Sequence, residues 1–183
     1  RFTSVAPIAR TTFETPEPGA APEPGALLPL RVDDAAAELV FVDGRFVPEL
    51  SRTGAAGVRV QSLTEVLEST PAVLEPHLGR IAGPDSVFAD LNTALAVDGA
   101  VVVVADRAVV DRAIHLLYLS TAGPAPSMSH VRTLIVAGRG SQSSIVQTWA
   151  GPDGAAYLTT AVTEMLIEDD AAVGHYRLQQ EGD

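Results

Sequence analysis

Cysteine is absent from this 183-residue sequence, and so is lysine, since all 12 basic residues are arginine. Without cysteine there is no disulfide framework, no thiolate nucleophile, no zinc knuckle and no cysteine-ligated cluster within the chain. Without lysine there is no Walker A lysine and no Schiff-base lysine. Asparagine occurs once, at Asn92, and tryptophan once, at Trp149. Positive charge is also scarce. Against 12 arginines stand 23 acidic residues, a net charge of −11, which disfavours a phosphate backbone or an anionic membrane surface as partner. No apolar run approaches the roughly 20 residues of a membrane span.

What is present fits a globular chain. Hydrophobic residues make up 46%, too many for a disordered polymer. The length suits one domain with an appendage, burying roughly 70% of its extended surface. With no signal peptide in view, a cytoplasmic location is expected.

Three zones follow along the chain. Residues 1–37 hold six of the 13 prolines. Their Pro/Gly-rich stretch, from Glu14 to Gly25, reads as extended or disordered, because proline cannot donate to a backbone ladder. Residues 38–98 read as a hairpin followed by short helices. Asp43-Gly44 lies between Leu39–Val42 and Arg45–Val47, the signature of a two-residue hairpin turn. Ser62 and Glu65 form a capping box, and Thr70-Pro71 restarts a helix. The best helix runs from Ser86 to Val97, capped by Asp85, with Phe88, Leu91 and Leu95 on one face. Residues 99–183 carry apolar runs at Ala100–Val104, Ile114–Leu119, Val131–Val136, Ile145–Trp149, Tyr157–Ile167 and Val173–Leu178. Turn-forming clusters separate them. The linkers are too short for crossover helices, which excludes a doubly wound sheet and leaves a sandwich, a barrel or a solenoid.

Each candidate for chemistry has a plainer reading beside it. Gly138-Arg139-Gly140-Ser141 lacks the third glycine and the following helix of a dinucleotide loop, so it reads as a turn. Asp111 and His115 would share a strand face but lie about 13 Å apart. His115, His130 and His175, spaced by 15 and 45 residues, would form a column only if strand repeats matched that spacing. Glu164, Glu168, Asp169 and Asp170 offer clustered carboxylates of the kind glycosidases use, though three of them read as a solvated corner. Trp149, Tyr157 and Tyr176 read as packing residues rather than a sugar platform.

The ordered set of segments resembles SufD-type iron–sulfur cluster assembly proteins. Leu39-Val40-Phe41-Val42-Asp43-Gly44-Arg45-Phe46-Val47-Pro48-Glu49-Leu50-Ser51 resembles that family's N-terminal hairpin. Glu75-Pro76-His77-Leu78-Gly79-Arg80 and Phe88-Ala89-Asp90-Leu91-Asn92-Thr93-Ala94 are similar to the helical stretch after it. Tyr157–Glu164 followed by His175-Tyr176-Arg177-Leu178-Gln179 is the closest local match. Arg1-Phe2-Thr3-Ser4 resembles the tail of a Glu-Trp-Arg-Phe-Thr motif. The resemblance implies a mainly β fold, namely part of a right-handed parallel β-helix over 99–183, preceded by a small α/β N-terminal region. It also implies a non-catalytic scaffold working with SufB-like and SufC-like subunits on clusters that the full complex handles. No catalytic, cofactor-binding or metal residue is carried over to this segment. An exposed sheet edge near Val173–Leu178 would favour self-association. The alternative is a β-helical carbohydrate-binding or carbohydrate-active protein.

Overall fold

The computed structural model describes residues 4–16, 22–82 and 87–182. The capping residue proposed at Asp85, the helix start at Ser86, the Arg1–Thr3 motif and the 17–21 part of the Pro/Gly tract lie outside them.

Strand β1 (Ala37–Val42) is buried along its whole length and turns at Asp43 and Gly44, whose φ values are 50° and 81°. Two consecutive positive φ values give the hairpin turn that matches strand twist, so β2 (Arg45–Phe46) returns antiparallel. Pro48 then starts a short 3₁₀ turn, Pro48–Leu50. Strand β3 (Val58–Ser62) leads directly into α2 (Leu63–Ser69) through the full capping box of Ser62 and Glu65. Helix α3 (Val87–Leu95) precedes β4 (Asp98–Val104). The remaining strands are β5 (Ile114–Leu119), β6 (Ser127–Ala137), β7 (Gln142–Ala150), β8 (Tyr157–Ile167) and β9 (Ala172–Gln180). The described part of the proline-rich zone is not simply extended. It contains α1 (Ala6–Arg10) and a 3₁₀ turn, Pro24–Leu30, each with proline in its first positions, where a missing N–H costs nothing.

The strands form two sheets, ordered β2-β1-β5-β7-β9 and β3-β4-β6-β8. This corrects the expected right-handed parallel β-helix. The protein is a mixed α/β fold with two sheets of mixed strand direction. Each sheet opens with an antiparallel pair, β1 with β2 and β3 with β4, and only the later pairings are parallel. The physical reason lies in the connections. A two-residue turn can join only antiparallel strands, and the chain between β3 and β4 is spent on helices that pack outside the sheet. Parallel neighbours are reached by passing through a strand of the other sheet, as β4 reaches β6 by way of β5.

The inner faces of the two sheets share the main core, to which Leu39, Phe41, Val102, Leu116, Ile135 and Ile145 all contribute. Within it the rings of Phe46, Phe41, Tyr118 and Trp149 form a stack along neighbouring strands, with centroid separations of 5.7, 5.0 and 4.1 Å. The Arg177 guanidinium lies 5.1 Å from the Trp149 centroid and closes the stack at β9. Outside the five-stranded sheet, Val40, Val42 and Leu117 are covered by Leu27 and Leu50. Outside the four-stranded sheet, Val101 and Leu134 are covered by Leu63, Val66 and Leu74. Gly99 is required where β4 meets β6, because a Cβ there would collide with the Arg132 carbonyl.

Candidate functional site

The sequence singled out three histidines, and the structure places them in three separate environments. His115 sits on the outer face of β5 and is fully buried. Its Nδ1 is 2.8 Å from Glu38 Oε2 and its Nε2 is 2.8 Å from Thr148 Oγ1. Glu38 is its direct cross-strand neighbour, while Thr148 lies diagonally on β7. Arg31 Nη1, on a half-buried side chain, approaches Glu38 Oε1 at 2.8 Å and joins the buried chain Glu38–His115–Thr148. Hydroxyl, imidazole and carboxylate stand in the order of a hydrolytic triad, but Thr148 has no exposed surface on which a substrate could sit.

His175 belongs to the same sheet but faces the other way. It registers with Ile145, which registers with Ile114, one residue off His115, and a one-residue offset reverses the face. Its Nε2 meets Gln147 Oε1 at 3.2 Å. Burial, and then the Arg177 charge, holds its pKa below the ordinary 6.5. His130 is on the other sheet, with Nδ1 2.6 Å from Thr160 Oγ1, and burial lowers its pKa as well. No histidine column exists. Among the described residues no group of three metal-ligating side chains is assembled.

The acidic cluster also divides. Glu168, Asp169 and Asp170 occupy the exposed β8–β9 turn, where Asp170 adopts φ 58°. Glu164 is 1% exposed. Its Oε1 accepts from the amides of Ile81 and Ala82 at 3.0 Å each. Its Oε2 accepts from Gly79 N at 2.8 Å and from Arg132 Nη2 and Nε at 2.8 and 3.1 Å. Burial pushes the carboxyl upward, but the amides of Ala82, Gly79 and Ile81 and the Arg132 guanidinium together outweigh it, leaving the pKa below its ordinary value. With five donors on its two oxygens, Glu164 has no capacity left for acid–base work. It ties the 79–82 loop to the sheet.

Sequence reasoning missed the partner of that tie. Helix α3 was expected to bury Phe88, Leu91 and Leu95. Phe88 and Leu95 are instead exposed, and Asn92 is the buried residue of the helix. Asn92 Nδ2 donates to Val131 O at 2.9 Å and Thr160 O at 3.0 Å. The only asparagine of the chain was the available signal. Arg132 reaches the same helix, donating from Nη1 to Thr93 Oγ1 at 2.8 Å.

The remaining candidates are structural in position. Gly138–Gly140 is a turn leading into β7, with the Arg139 amide bound to Asp106 Oδ1. Trp149 lies in the core stack, while Tyr176 is 58% exposed on the opposite face of its sheet, so the two form no platform for a sugar.

Glu38 with His115 and Glu164 with Arg132 are thus paired inside the fold, and the two sheets define a β-rich module. Comparison with known families agrees in kind. Residues 31–116 match the SufBD protein N-terminal region, and residues 118–183 match the SufBD core domain of the SUF system for FeS cluster assembly. The chain belongs to the SufBD family. It is 31% identical over 153 residues to an iron–sulfur cluster assembly SufBD family protein of Synechocystis, a match covering 78% of this chain and 34% of the relative. A second protein of that description, from Porphyra purpurea, is 30% identical over 151 residues, covering 80% of this chain and 29% of the relative. The chain therefore spans about a third of the length of these relatives. No helix among the described residues is long and apolar enough to cross a membrane.

Proposed function

We propose that this chain is a non-catalytic scaffold portion of a SUF-type assembly machinery in the cytoplasm, working with a SufB-like subunit and a SufC-like ATPase. The observation that carries the reading is the consecutive match to the SufBD N-terminal and core regions over most of the chain. The engagement of Glu38, His115, Arg132 and Glu164 in buried pairs supports a structural role for the segment. The iron–sulfur cluster is then cargo. With no cysteine in these 183 residues, thiolate ligands for it come from another polypeptide or another segment. Among the described residues the outer edges of β8 and β9 pair with no further strand, and they offer backbone donors and acceptors to a partner subunit or a second copy.

Co-expression of the full-length protein with SufB-like and SufC-like subunits tests this reading. Recovery of a stable three-component complex through an affinity tag on this protein is expected. Recovery of the protein alone, with both candidates expressed and folded, overturns it.

A further inference from the structure

A cavity of about 300 Å³ opens between the C-terminal end of α3, the β1–β2 turn and the start of β6. Its lining combines His130 and Arg45 with the apolar side chains of Leu95, Val97 and Met128. This volume is at the small end of ligand sites.

The proton on His130 can be placed from its neighbours. Asn92 Nδ2 faces two carbonyl oxygens, Val131 O and Thr160 O, which fixes the orientation of its amide. One of its two hydrogens is shared with Thr160 Oγ1 at 3.3 Å. Among the described residues the hydroxyl proton has no acceptor other than His130 Nδ1, 2.6 Å away, which makes Nδ1 the acceptor. A neutral imidazole that accepts at Nδ1 carries its proton at Nε2. His130 is 7% exposed, and among the described residues its Nε2 has no hydrogen-bond partner and is not sealed from solvent. His130 itself lines the cavity.

The other charged groups at the cavity differ in availability. Asp43 is occupied, with Oδ1 accepting from the Thr121 amide at 2.8 Å and Oδ2 from the Thr121 hydroxyl at 2.6 Å. Arg45 is exposed at the rim and forms no ion pair among the described residues. Leu95 and Val97 remain 48% and 51% exposed beside it.

We infer that this cavity binds a small monocarboxylate with an aliphatic tail. The carboxylate accepts from His130 Nε2–H and pairs with Arg45, and the tail lies against Leu95, Val97 and Met128. The site is independent of the proposed scaffold role.

Hexanoate, hexanol and hexylammonium, titrated separately into the isotopically labelled full chain, test the assignment by NMR. Hexanoate should shift the His130 ring and the Leu95, Val97 and Met128 methyl resonances saturably. Hexylammonium should not. R45Q, at an exposed position that leaves the fold intact, should weaken hexanoate by about two- to fivefold, as expected for a rim charge. H130F should remove the imidazole donor, so that hexanoate binds more weakly and keeps only its Arg45-dependent preference over hexanol. Absence of saturable methyl shifts, equal binding of hexylammonium, or hexanoate affinity unchanged in R45Q overturns the assignment.

Discussion

Arg132 and Glu164 lie on adjacent parallel strands, two residues apart in register, and meet at 2.8 Å beneath a loop that donates three backbone amides to the same carboxylate. The pair is 5% and 0% exposed at its side chains. A buried pair of this kind holds its surroundings in one arrangement, and removing a single partner strands the other.

Glu164→Gln and Arg132→Met should therefore each lower stability by about 3–5 kcal/mol in chemical denaturation. The double variant Arg132→Met, Glu164→Leu should recover part of the loss, because no uncompensated charge remains. A single variant costing under about 1 kcal/mol would show the pair to be solvated.

Stability should fall toward acid in two stages. His130 and His175 have folded-state pKa values below the ordinary 6.5, so the unfolded chain takes up protons first as pH drops. Their contribution is fully present above 6.5 and is lost as pH falls through that value toward their folded-state values. Glu164 is likewise depressed from 4.5, so its contribution is present above 4.5 and is lost as pH falls through its folded-state value. Denaturation midpoints measured from pH 8 to pH 3 should show both stages in the wild type. The lower one should shrink in Glu164→Gln. A flat profile between pH 7 and pH 5 would contradict the histidine stage.

Asn92→Leu should loosen α3 from the four-stranded sheet, leaving the Val131 and Thr160 carbonyls without this donor at a cost of about 1–3 kcal/mol. Hydrogen exchange of the α3 amides reads this directly. Protection equal to that of the wild type would mean that apolar contacts alone hold the helix.

Trp149→Ala should cost about 3–5 kcal/mol, since it removes a ring stacked between Tyr118 and Arg177. Trp149→Phe should cost much less, because the indole N–H is buried without an acceptor and its removal forfeits no hydrogen bond. A phenylalanine variant as damaged as the alanine one would place an acceptor on that nitrogen.

The local elements were legible where a short-range rule applies. Asp43-Gly44 needs two positive φ values, Ser62 and Glu65 need only each other, and the apolar runs from Ala100 onward became strands. Strand direction was not legible, because a continuous apolar run such as Ala100–Val104 does not say which strand it pairs with on either side, and the parallel β-helix expected from resemblance gave way to two mixed sheets. The buried face of α3 was misread for a related reason. Period and hydrophobicity pointed to Phe88, Leu91 and Leu95, whereas two carbonyls on β6 and β8, remote in sequence, draw Asn92 inward. Glu164 was noticed as a carboxylate inside an apolar strand. Its partners lie 32 and 82–85 residues away in sequence, and no local pattern announces them.

The most direct test of the scaffold account is cluster loading in a complex assembled from the full-length protein and the proposed SufB-like and SufC-like subunits. Iron and sulfide content per complex should be the same for the wild type and for His130→Gln and His175→Gln variants, each checked to remain assembled. Loss of bound iron and sulfide from an intact variant complex would contradict the account by placing a cluster ligand within this segment.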